Sequence, residues 1–462
     1  MTTAKEKIIK AAEANRQLAF ETERYIWKHP ETGYTEWTAN SYLIEHFEKL
    51  GYKLIRADQD PDHGKIPGFY TDIDTGKPGP VLCIMGELDA LDIANHPESV
   101  NGMCHSCGHN AQAATMMGIA GALASDPSIM DGLCGKVRLM LVPAEEMIQL
   151  AFRSGLIKDG TISYMGGKVE FLHRGYYDDV DIAMMVHSAN AGDDIDFVCG
   201  KGSNGCMAKV ITYTGKSSHA GGAPHKGINA QYGATLGLQA VNDLRETFQE
   251  KDTVRFHPIL KGVNCAVNII PDEMVIESYV RASNIEAMKR ENKKINRALA
   301  GAAAAIGCGL HIDDKPGYSP ETHDEEFMHL VQDVCEDLVG KERVRFNYDQ
   351  WGTGSSDFGD LTTVMPGVQF NASGAIGMGH GIDYYLADPE RLLINSIKAQ
   401  LLVMVELLKD DAAKAKHIIT NYKPVYESIA AYLEAQQDFI LDQDVVEYDD
   451  SGDVTLHLSK KN

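Results

Sequence analysis

The chain has 462 residues, of which 44% are hydrophobic and 24% are charged, and this composition is typical of a globular enzyme with two domains. Its formal net charge of -23 argues against nucleic acid and against anionic membranes as partners. We expect a cytoplasmic protein, because the first ten residues lack the apolar segment of a signal peptide and no apolar run approaches the roughly 20 residues of a membrane span. The nine scattered cysteines therefore indicate reduced thiols and metal binding, not a disulfide framework.

The first predicted elements are helices followed by a buried strand. Residues 4–28 and 35–50 show helical spacing of apolar positions, and a Pro- and Gly-containing break separates them. The apolar run Val81–Met85 predicts a strand, which Glu87 and Asp89 follow. Residues two apart on an extended chain point the same way, so both carboxylates could face one site, although a solvated acidic pair is the simpler interpretation.

The segment Cys104-His105-Ser106-Cys107-Gly108-His109-Asn110 carries two thiols and two imidazoles between this strand and a predicted buried helix over residues 111–124. A strand, a ligand-rich loop and a helix in succession place chemistry at the carboxyl ends of strands in open α/β sheets. We therefore expect Cys107 and His109 to bind a divalent metal ion.

Two later strands also end in residues that bind metals. Residues 135–142 precede Glu145 and Glu146, and residues 181–186 precede His187. An adjacent glutamate pair is common on surfaces, and a lone histidine is more often a satisfied core residue. Their position after apolar strands favours a site, in which one glutamate contacts a metal and the other a water.

The pattern changes near residue 203 and predicts an inserted domain. The order of elements is β-α-β-β-α-β, which is the ferredoxin-like signature. We predict a catalytic domain over residues 1–202 and 316–462, the second part with a C-terminal extension, and an inserted domain over residues 203–315. The predicted elements of the insertion are strands 206–214, 262–270 and 274–280, helices 229–249 and 285–306, and a strand that begins at residue 310.

The α/β pattern resumes near residue 322. A glycine-rich loop around His380 follows a short strand, and Asp388 caps a long helix that ends at Leu408. Beyond it, the sequence predicts two helical pieces split at Pro424 and a hairpin over residues 445–456. An oligomer contact and an added edge to a sheet are both possible roles for this tail.

Five side chains from separate strand ends and loops form the candidate ligand set: Cys107, His109, Glu146, His187 and His380. One zinc ion takes four ligands in a structural site and three in a catalytic site, so five ligands suit two ions that share a bridging thiolate or water. Thiolate and imidazole favour Zn²⁺, carboxylates tolerate Mn²⁺, and Co²⁺ or Ni²⁺ are further options.

The chain resembles the M20 metallopeptidase family, in the amidohydrolase branch that contains N-acyl-amino-acid (aminoacylase-type), auxin-conjugate and aminobenzoyl-glutamate hydrolases. The resemblance runs from about residue 15 to residue 405. The matching motifs are His29-Pro-Glu-Thr-Gly, Gly86-Glu-Leu-Asp-Ala-Leu, His105-Ser-Cys-Gly-His-Asn, Pro143-Ala-Glu-Glu, Ser218-His-Ala-Gly-Gly-Ala-Pro-His, Asn268-Ile-Ile-Pro-Asp, Gly354-Ser-Ser-Asp-Phe and His380.

The resemblance implies an α/β metal-dependent catalytic domain, with a mixed sheet flanked by helices, and an inserted ferredoxin-like α+β lid and dimerisation domain. It implies two divalent metal ions per subunit on the five candidate ligands. It makes Glu145 the general base and makes Asp89 the group that orients a ligand imidazole. The sequence departs from many members at Glu87, where aspartate is common, and in its longer segment between Leu91 and Cys104.

For the inserted domain, the resemblance implies a lid that mediates a homodimer. His219 resembles the lid histidine that reaches the partner subunit's site, and Asn268 and Arg281 resemble lid residues that hold the substrate's carboxylate and carbonyl. The implied reaction is hydrolysis of an amide bond in a small N-acyl or N-aroyl amino acid or peptide with a carboxylate, by metal-activated water.

Two alternatives remain at this point. The first is a hydrolase with Cys107 as nucleophile and His109 or His105 as base, since a thiolate needs such an activating neighbour. The second is a non-catalytic relative that binds metal or peptide. The extra ligands at other strand ends weigh against the first alternative, and the intact ligands and base weigh against the second.

Overall fold

Two β-sheets organise the chain in the computed structural model, which describes residues 3–263 and 265–460. The helices are α1 (Ala4–Ala14), α2 (Arg16–Trp27), α3 (Trp37–Lys49), α4 (His109–Ser125), α5 (Leu150–Lys158), α6 (Gly167–His173), α7 (Ala230–Asp243), α8 (Ile285–Ile306), α9 (Glu325–Val339), α10 (Phe358–Leu361), α11 (Asn395–Leu408), α12 (Ala413–Asn421) and α13 (Ile429–Gln436). The strands are β1 (Ile55–Arg56), β2 (Phe69–Asp74), β3 (Val81–Glu87), β4 (Leu91–Asp92), β5 (Met103–Cys104), β6 (Lys136–Val142), β7 (Ile182–Ala189), β8 (Phe197–Ser203), β9 (Gly205–Thr214), β10 (Arg255–Phe256), β11 (Ile259–Gly262), β12 (Glu273–Ala282), β13 (Gly309–Tyr318), β14 (Glu321–Thr322), β15 (Val344–Gly352), β16 (Gly367–Ser373), β17 (Ala375–Ile376), β18 (Tyr385–Leu386), β19 (Leu441–Asp444), β20 (Val446–Tyr448) and β21 (Val454–Leu456).

The larger sheet has the strand order β1-β2-β6-β3-β7-β16-β8-β14, and β15 also pairs with β8. Its centre is parallel, because β3 pairs in parallel with β6 and β7, and β7 with β16. Its outer pairs β2–β6 and β8–β14 are antiparallel. Every residue of β3 is buried, as expected for a central strand covered on both faces. The predicted mixed α/β sheet is confirmed.

Helix α4 lies against β3 in the main core. It is almost entirely buried, because its residues are apolar or small on all sides, a pattern that is typical of a helix inside a core. It begins at His109, and the buried packing therefore fixes the position of that imidazole. The predicted single helix over residues 4–28 is instead the pair α1 and α2, which meet at Asn15.

The smaller sheet has the order β10-β12-β9-β13-β19, and β11 also pairs with β12. Burial alternates along β12, since one face of the sheet packs on α7 and α8. The predicted strand over residues 262–270 is wrong. The strand is Ile259–Gly262, and the chain then leaves the sheet; Ile269 forms an isolated bridge with His219 instead. The domain boundaries, and the role of this domain as a lid, remain predictions.

The last part of the C-terminal tail, from Phe439 onwards, packs against the smaller sheet. Strand β19 pairs antiparallel with β13 and so adds an edge to the sheet, which was one of the two roles considered for this segment. Strands β20 and β21 form the predicted hairpin. In the described part of the chain, no helix combines the length and the apolar character that a membrane crossing requires.

Candidate metal centre and active-site cavity

The candidate ligands meet at the carboxyl ends of three neighbouring strands. Strands β6, β3 and β7 are adjacent, so Glu145 and Glu146 after β6, Asp89 after β3 and His187 on β7 come to the same edge. This is the edge at which open α/β sheets bind ligands. The loop after β17 brings His380 to the same place, where its backbone N–H donates to the Ser106 carbonyl at 2.8 Å.

The ligand atoms form overlapping groups, within each of which all atoms lie within 4.8 Å of one another. Cys107 belongs to a group with His109 and His187 and to another with Glu146 and His380. The structure therefore brings all five predicted ligands together, with the Cys107 thiol common to both groups. That arrangement fits two ions with a shared thiolate.

The imidazole of His109 is oriented by Asp89. Its Nδ1 lies 2.9 Å from the Asp89 carbonyl oxygen and 3.1 Å from Oδ1. Both oxygens are acceptors, so Nδ1 carries the proton and Nε2 presents a lone pair. Nε2 is buried and has no hydrogen-bond partner among the described residues. A buried, unpaired nitrogen of this kind fits a metal ligand, and the predicted role of Asp89 agrees with this geometry.

His187 and Cys107 complete this side of the centre. His187 Nδ1 donates to the Ser188 carbonyl at 3.0 Å, which leaves Nε2 facing the Cys107 Sγ at 3.4 Å. Burial and the charge of Glu146 raise the pKa of the Cys107 thiol well above its usual value. The thiolate form therefore requires a neighbouring cation, and this requirement also fits a divalent ion.

The two adjacent glutamates have different environments. Burial raises the pKa of Glu145 well above its usual value, and the carboxylates of Glu87 and Glu146 raise it further. Burial also acts on Glu146, but a hydrogen bond and the charge of His380 outweigh it, and the pKa of Glu146 is lowered. The raised pKa of Glu145 suits a group that takes up and releases a proton, and the lowered pKa of Glu146 suits an anionic ligand.

The backbone that presents the glutamates is held in an uncommon conformation. Ala144 has a φ of 59°, a left-handed value that few residues other than glycine adopt. The buried Arg153 guanidinium donates to the carbonyls of Ala144, Met165 and Glu146. These bonds hold the turn so that consecutive side chains converge on one site instead of pointing to opposite faces.

A cavity of 420 Å³ opens beside the centre. Cys107, Glu145, Glu146, His187 and His380 all line it, together with residues of both sheets. The residues from the smaller sheet and the loops that line it are Cys206, His257, Tyr279, Arg281, Tyr318, Gly354, Ser355 and Ser356. The predicted substrate residue Arg281 donates to Ser355 Oγ at 3.2 Å and to His257 Nε2 at 3.1 Å.

Residues 83–410 match Peptidase family M20/M25/M40. The chain belongs to this M20 family. The predicted resemblance is confirmed, and the protein is a metal-dependent amidohydrolase or peptidase.

Its relatives include the Xaa-Arg dipeptidase of Homo sapiens, which is 27% identical over 374 residues that cover 75% of this chain and 74% of that protein. The indole-3-acetyl-aspartic acid hydrolase of Enterobacter agglomerans is 23% identical over 366 residues, with 69% and 79% covered. The fold is similar to that of a dinuclear metal-binding M20 peptidase from Bacillus subtilis, with a TM-score of 0.62, 20% identity and 86% and 99% of the two chains covered.

The other two predicted lid residues, His219 and Asn268, lie away from the cavity. His219 and Asn268 are exposed and neighbour each other, since the Ala220 N–H donates to the Asn268 carbonyl at 3.0 Å. Neither is among the described residues that line the cavity. Their exposure leaves both side chains accessible to a second subunit.

Several residues at the M20 centre were not predicted. Lys168 is fully buried behind it and donates to both Glu87 and Asp357. Gln112, one turn into α4 from His109, donates to Glu87 as well. Asp357 lies in one of the family motifs. No pattern in the sequence around Lys168 indicates that Lys168 contacts Glu87 and Asp357, which are 81 and 189 positions away.

Proposed function

We propose that this protein hydrolyses the amide bond of an N-acyl or N-aroyl amino acid, or of a small peptide, with two divalent metal ions and Glu145 as general base. The observation that supports this is the pair of ligand groups that share Cys107, with Glu145 beside them at the wall of the cavity. We propose Zn²⁺ or Mn²⁺ as the ions, because the donors combine a thiolate, three imidazoles and a carboxylate.

The ions, when bound, lower the pKa of a water and polarise the substrate carbonyl. Glu145 takes a proton from the attacking water and returns it to the leaving nitrogen, and its raised pKa suits it to both steps. Asp89 holds the His109 tautomer, and Arg153 holds the backbone of the glutamates. Each of these side chains is in place before substrate arrives, so little reorganisation accompanies the reaction.

The substrate carries a carboxylate near the amide in this proposal. Arg281 lines the cavity, and its planar guanidinium can bind a carboxylate through two parallel hydrogen bonds. The name of the human relative implies a dipeptide substrate that ends in arginine, and that of the Enterobacter agglomerans relative implies an indoleacetyl conjugate of aspartic acid. Each of these substrates has an amide bond beside a carboxylate. We propose that His219 and Asn268 complete the site across a homodimer.

Replacement of Glu145 by Gln tests whether Glu145 transfers the proton while Glu146 binds metal. We expect Glu145→Gln to keep both ions and to lose about 10²- to 10⁴-fold in kcat, because only the proton transfer is removed. Cys107→Ala should lose metal, since the two groups that together contain all five candidate ligands share Cys107. Metal content is measured by mass spectrometry. Turnover is measured with N-acetyl amino acids, aminobenzoyl-glutamate and dipeptides as substrates.

Loss of metal by Glu145→Gln equal to that of Cys107→Ala would show that the roles of the two glutamates are reversed. Glu23→Gln is the matched control, because Glu23 is also buried and hydrogen-bonds Asn110 at 2.8 Å but belongs to none of the ligand groups found among the described residues. Inhibition by iodoacetamide but not by chelators would instead favour the cysteine-nucleophile reaction.

A further inference from the structure

Glu87 is a buried carboxylate beside the metal centre that the proposed reaction does not use. It ends β3, and its side chain is only 1% exposed. Lys168 donates to Oε1, and Gln112 Nε2 donates to Oε2 at 2.7 Å. The Glu87 backbone N–H also donates to Gln112 Oε1, at 2.9 Å. The carboxylate is therefore fixed in one orientation.

This orientation aims Oε2 of Glu87 at the unpaired nitrogen of His109. The two atoms are 3.2 Å apart, and without a proton or a cation between them their lone pairs repel. Asp89 already holds the imidazole proton on Nδ1. Two ligand atoms about 2.1 Å from one ion are roughly 3.0–3.4 Å apart when the angle between them is between a right angle and tetrahedral. The observed distance falls within that range.

We propose that Glu87 is a sixth protein ligand, to the ion that His109 and His187 would hold, and that Lys168 and Gln112 position its carboxylate for this role. The inference rests on the proposed function, because it takes the two-ion site as given. The ligand atoms of Glu87, His109 and Glu145 lie within 4.8 Å of one another, so the Glu87 carboxylate would add an anionic ligand beside the His109 imidazole. Cys107, Glu146 and His380 would hold the other ion.

Burial differs between the two sides of the centre. His109 and Glu87 are 0% and 1% exposed and lie behind the cavity, whereas Glu146 and His380 line it. The His380 side chain is 56% exposed. An ion held by His109 and Glu87, the inner ion, would therefore be more buried than one held by Glu146 and His380, the outer ion.

Lys168 is the positioning residue for this arrangement. Its ammonium group is buried and bridges the carboxylates of Glu87 and Asp357. One cation between two anions lowers the repulsion that would otherwise push Glu87 away from the other carboxylates of the centre. Without Lys168, the Glu87 carboxylate keeps its hydrogen bond from Gln112 but loses the bond to Oε1 that helps to hold it towards His109.

The test measures the release of each ion. Wild type, Glu87→Gln and Lys168→Met are loaded with Zn²⁺ and dialysed against buffers of graded free Zn²⁺, and bound metal is counted by mass spectrometry. We expect Glu87→Gln to release one ion at a free concentration at least about tenfold higher than wild type does, with the other ion unchanged. Lys168→Met should shift the same ion in the same direction. Loading with Co²⁺ adds a spectrum that changes with the ligand set of the inner ion.

A folded Glu87→Gln protein that releases both ions within twofold of wild type would overturn the inference. If Glu87→Gln does not fold, Glu87→Asp serves, since it keeps the charge but shortens the reach by one methylene and should weaken the same ion. Glu23→Gln controls for loss of a buried charge. Wild type that binds two ions but hydrolyses no amide in the panel would contradict the proposed function and leave the role of Glu87 intact.

Discussion

Gly108 lies between two candidate ligands, in a conformation that side chains rarely adopt. Its φ is 90°, and a Cβ there would lie 2.2 Å from Ser188 Oγ and 2.3 Å from Tyr384 Oη. Those two hydroxyls hydrogen-bond each other at 2.7 Å, and Ser188 Oγ also donates to the Cys107 carbonyl at 3.1 Å. The absence of a side chain thus allows the ligand loop to approach β7.

Replacement of Gly108 by Ala should therefore damage both folding and metal binding. We expect a loss of about 2 kcal/mol in the free energy of unfolding, from backbone strain and from displacement of the two hydroxyls. Urea unfolding with metal analysis measures both effects. Gly155→Ala is the control, because nothing lies within 4 Å of its Cβ position in α5, and it should gain up to about 1 kcal/mol. Equal stability of the two variants would contradict the prediction.

The side chains that meet at the centre could be predicted from sequence because each follows an apolar strand or lies in a dense motif. Glu87 also follows an apolar run, but for Glu87 and Asp89 the sequence alone favours a pair of solvated acids. What decides its environment is the Lys168 ammonium group, which comes from α6. Such a contact depends on how a helix packs on the sheet, and no local pattern encodes it.

At the scale of elements, a buried cluster joins β14 to β8 at one edge of the larger sheet. His323 Nε2 lies 2.6 Å from Glu321 Oε1, and Ser203 Oγ donates to Glu321 Oε2 at 2.9 Å. Burial would lower the pKa of His323, but the charge of Glu321 outweighs it and raises that pKa well above its usual value. Glu321 and His323 therefore form an ion pair within the β14 segment, and their contacts with the Ser203 hydroxyl and the Gly200 carbonyl join it to β8.

This cluster predicts a stability that depends on pH. A raised folded-state pKa means that the contribution of His323 is complete below the unfolded value of about 6.5 and is lost as pH rises through the folded value. At pH 6, His323→Gln should cost about 3 kcal/mol, since Glu321 stays buried without its partner. Urea unfolding from pH 6 to pH 10 should show the difference from wild type shrinking. His225→Gln, at an exposed position, is the control and should show a small and constant difference from wild type in the free energy of unfolding. A difference for His323→Gln that grows as pH rises would contradict the ion pair.

Strands were predictable where an apolar run marks them. Strands β3, β6 and β7 each contain a run of four or five apolar residues, and the sequence places them correctly. The outer strands β8 and β15 were missed, because glycine, lysine and aspartate interrupt them and their burial is incomplete. Edge strands take their structure from the neighbour with which they pair, and pairing is not visible in a local window.

At the scale of the whole molecule, the cavity lies between the two sheets. Arg281 on β12 donates to Ser355 in the loop that follows β15, so residues of the smaller sheet form one wall. His219 and Asn268 lie in segments that connect elements of the smaller sheet, and both side chains are exposed in the single chain. A site that needs these two side chains is complete only when a second subunit supplies them.

Mixed dimers test whether the site is shared in this way. Glu145→Ala and His219→Ala subunits are each expected to be inactive alone. In a two-fold dimer with shared sites, a mixed pair restores one intact site, because one subunit supplies Glu145 and the other supplies His219. Random exchange at equal amounts should therefore recover about one quarter of wild-type activity. Glu145→Ala mixed with Cys107→Ala is the matched control, since those residues line the cavity of the same subunit and neither site of the mixed dimer is intact. If exchange is shown by mass spectrometry and the His219 mixture stays as inactive as this control, His219 does not act across the dimer.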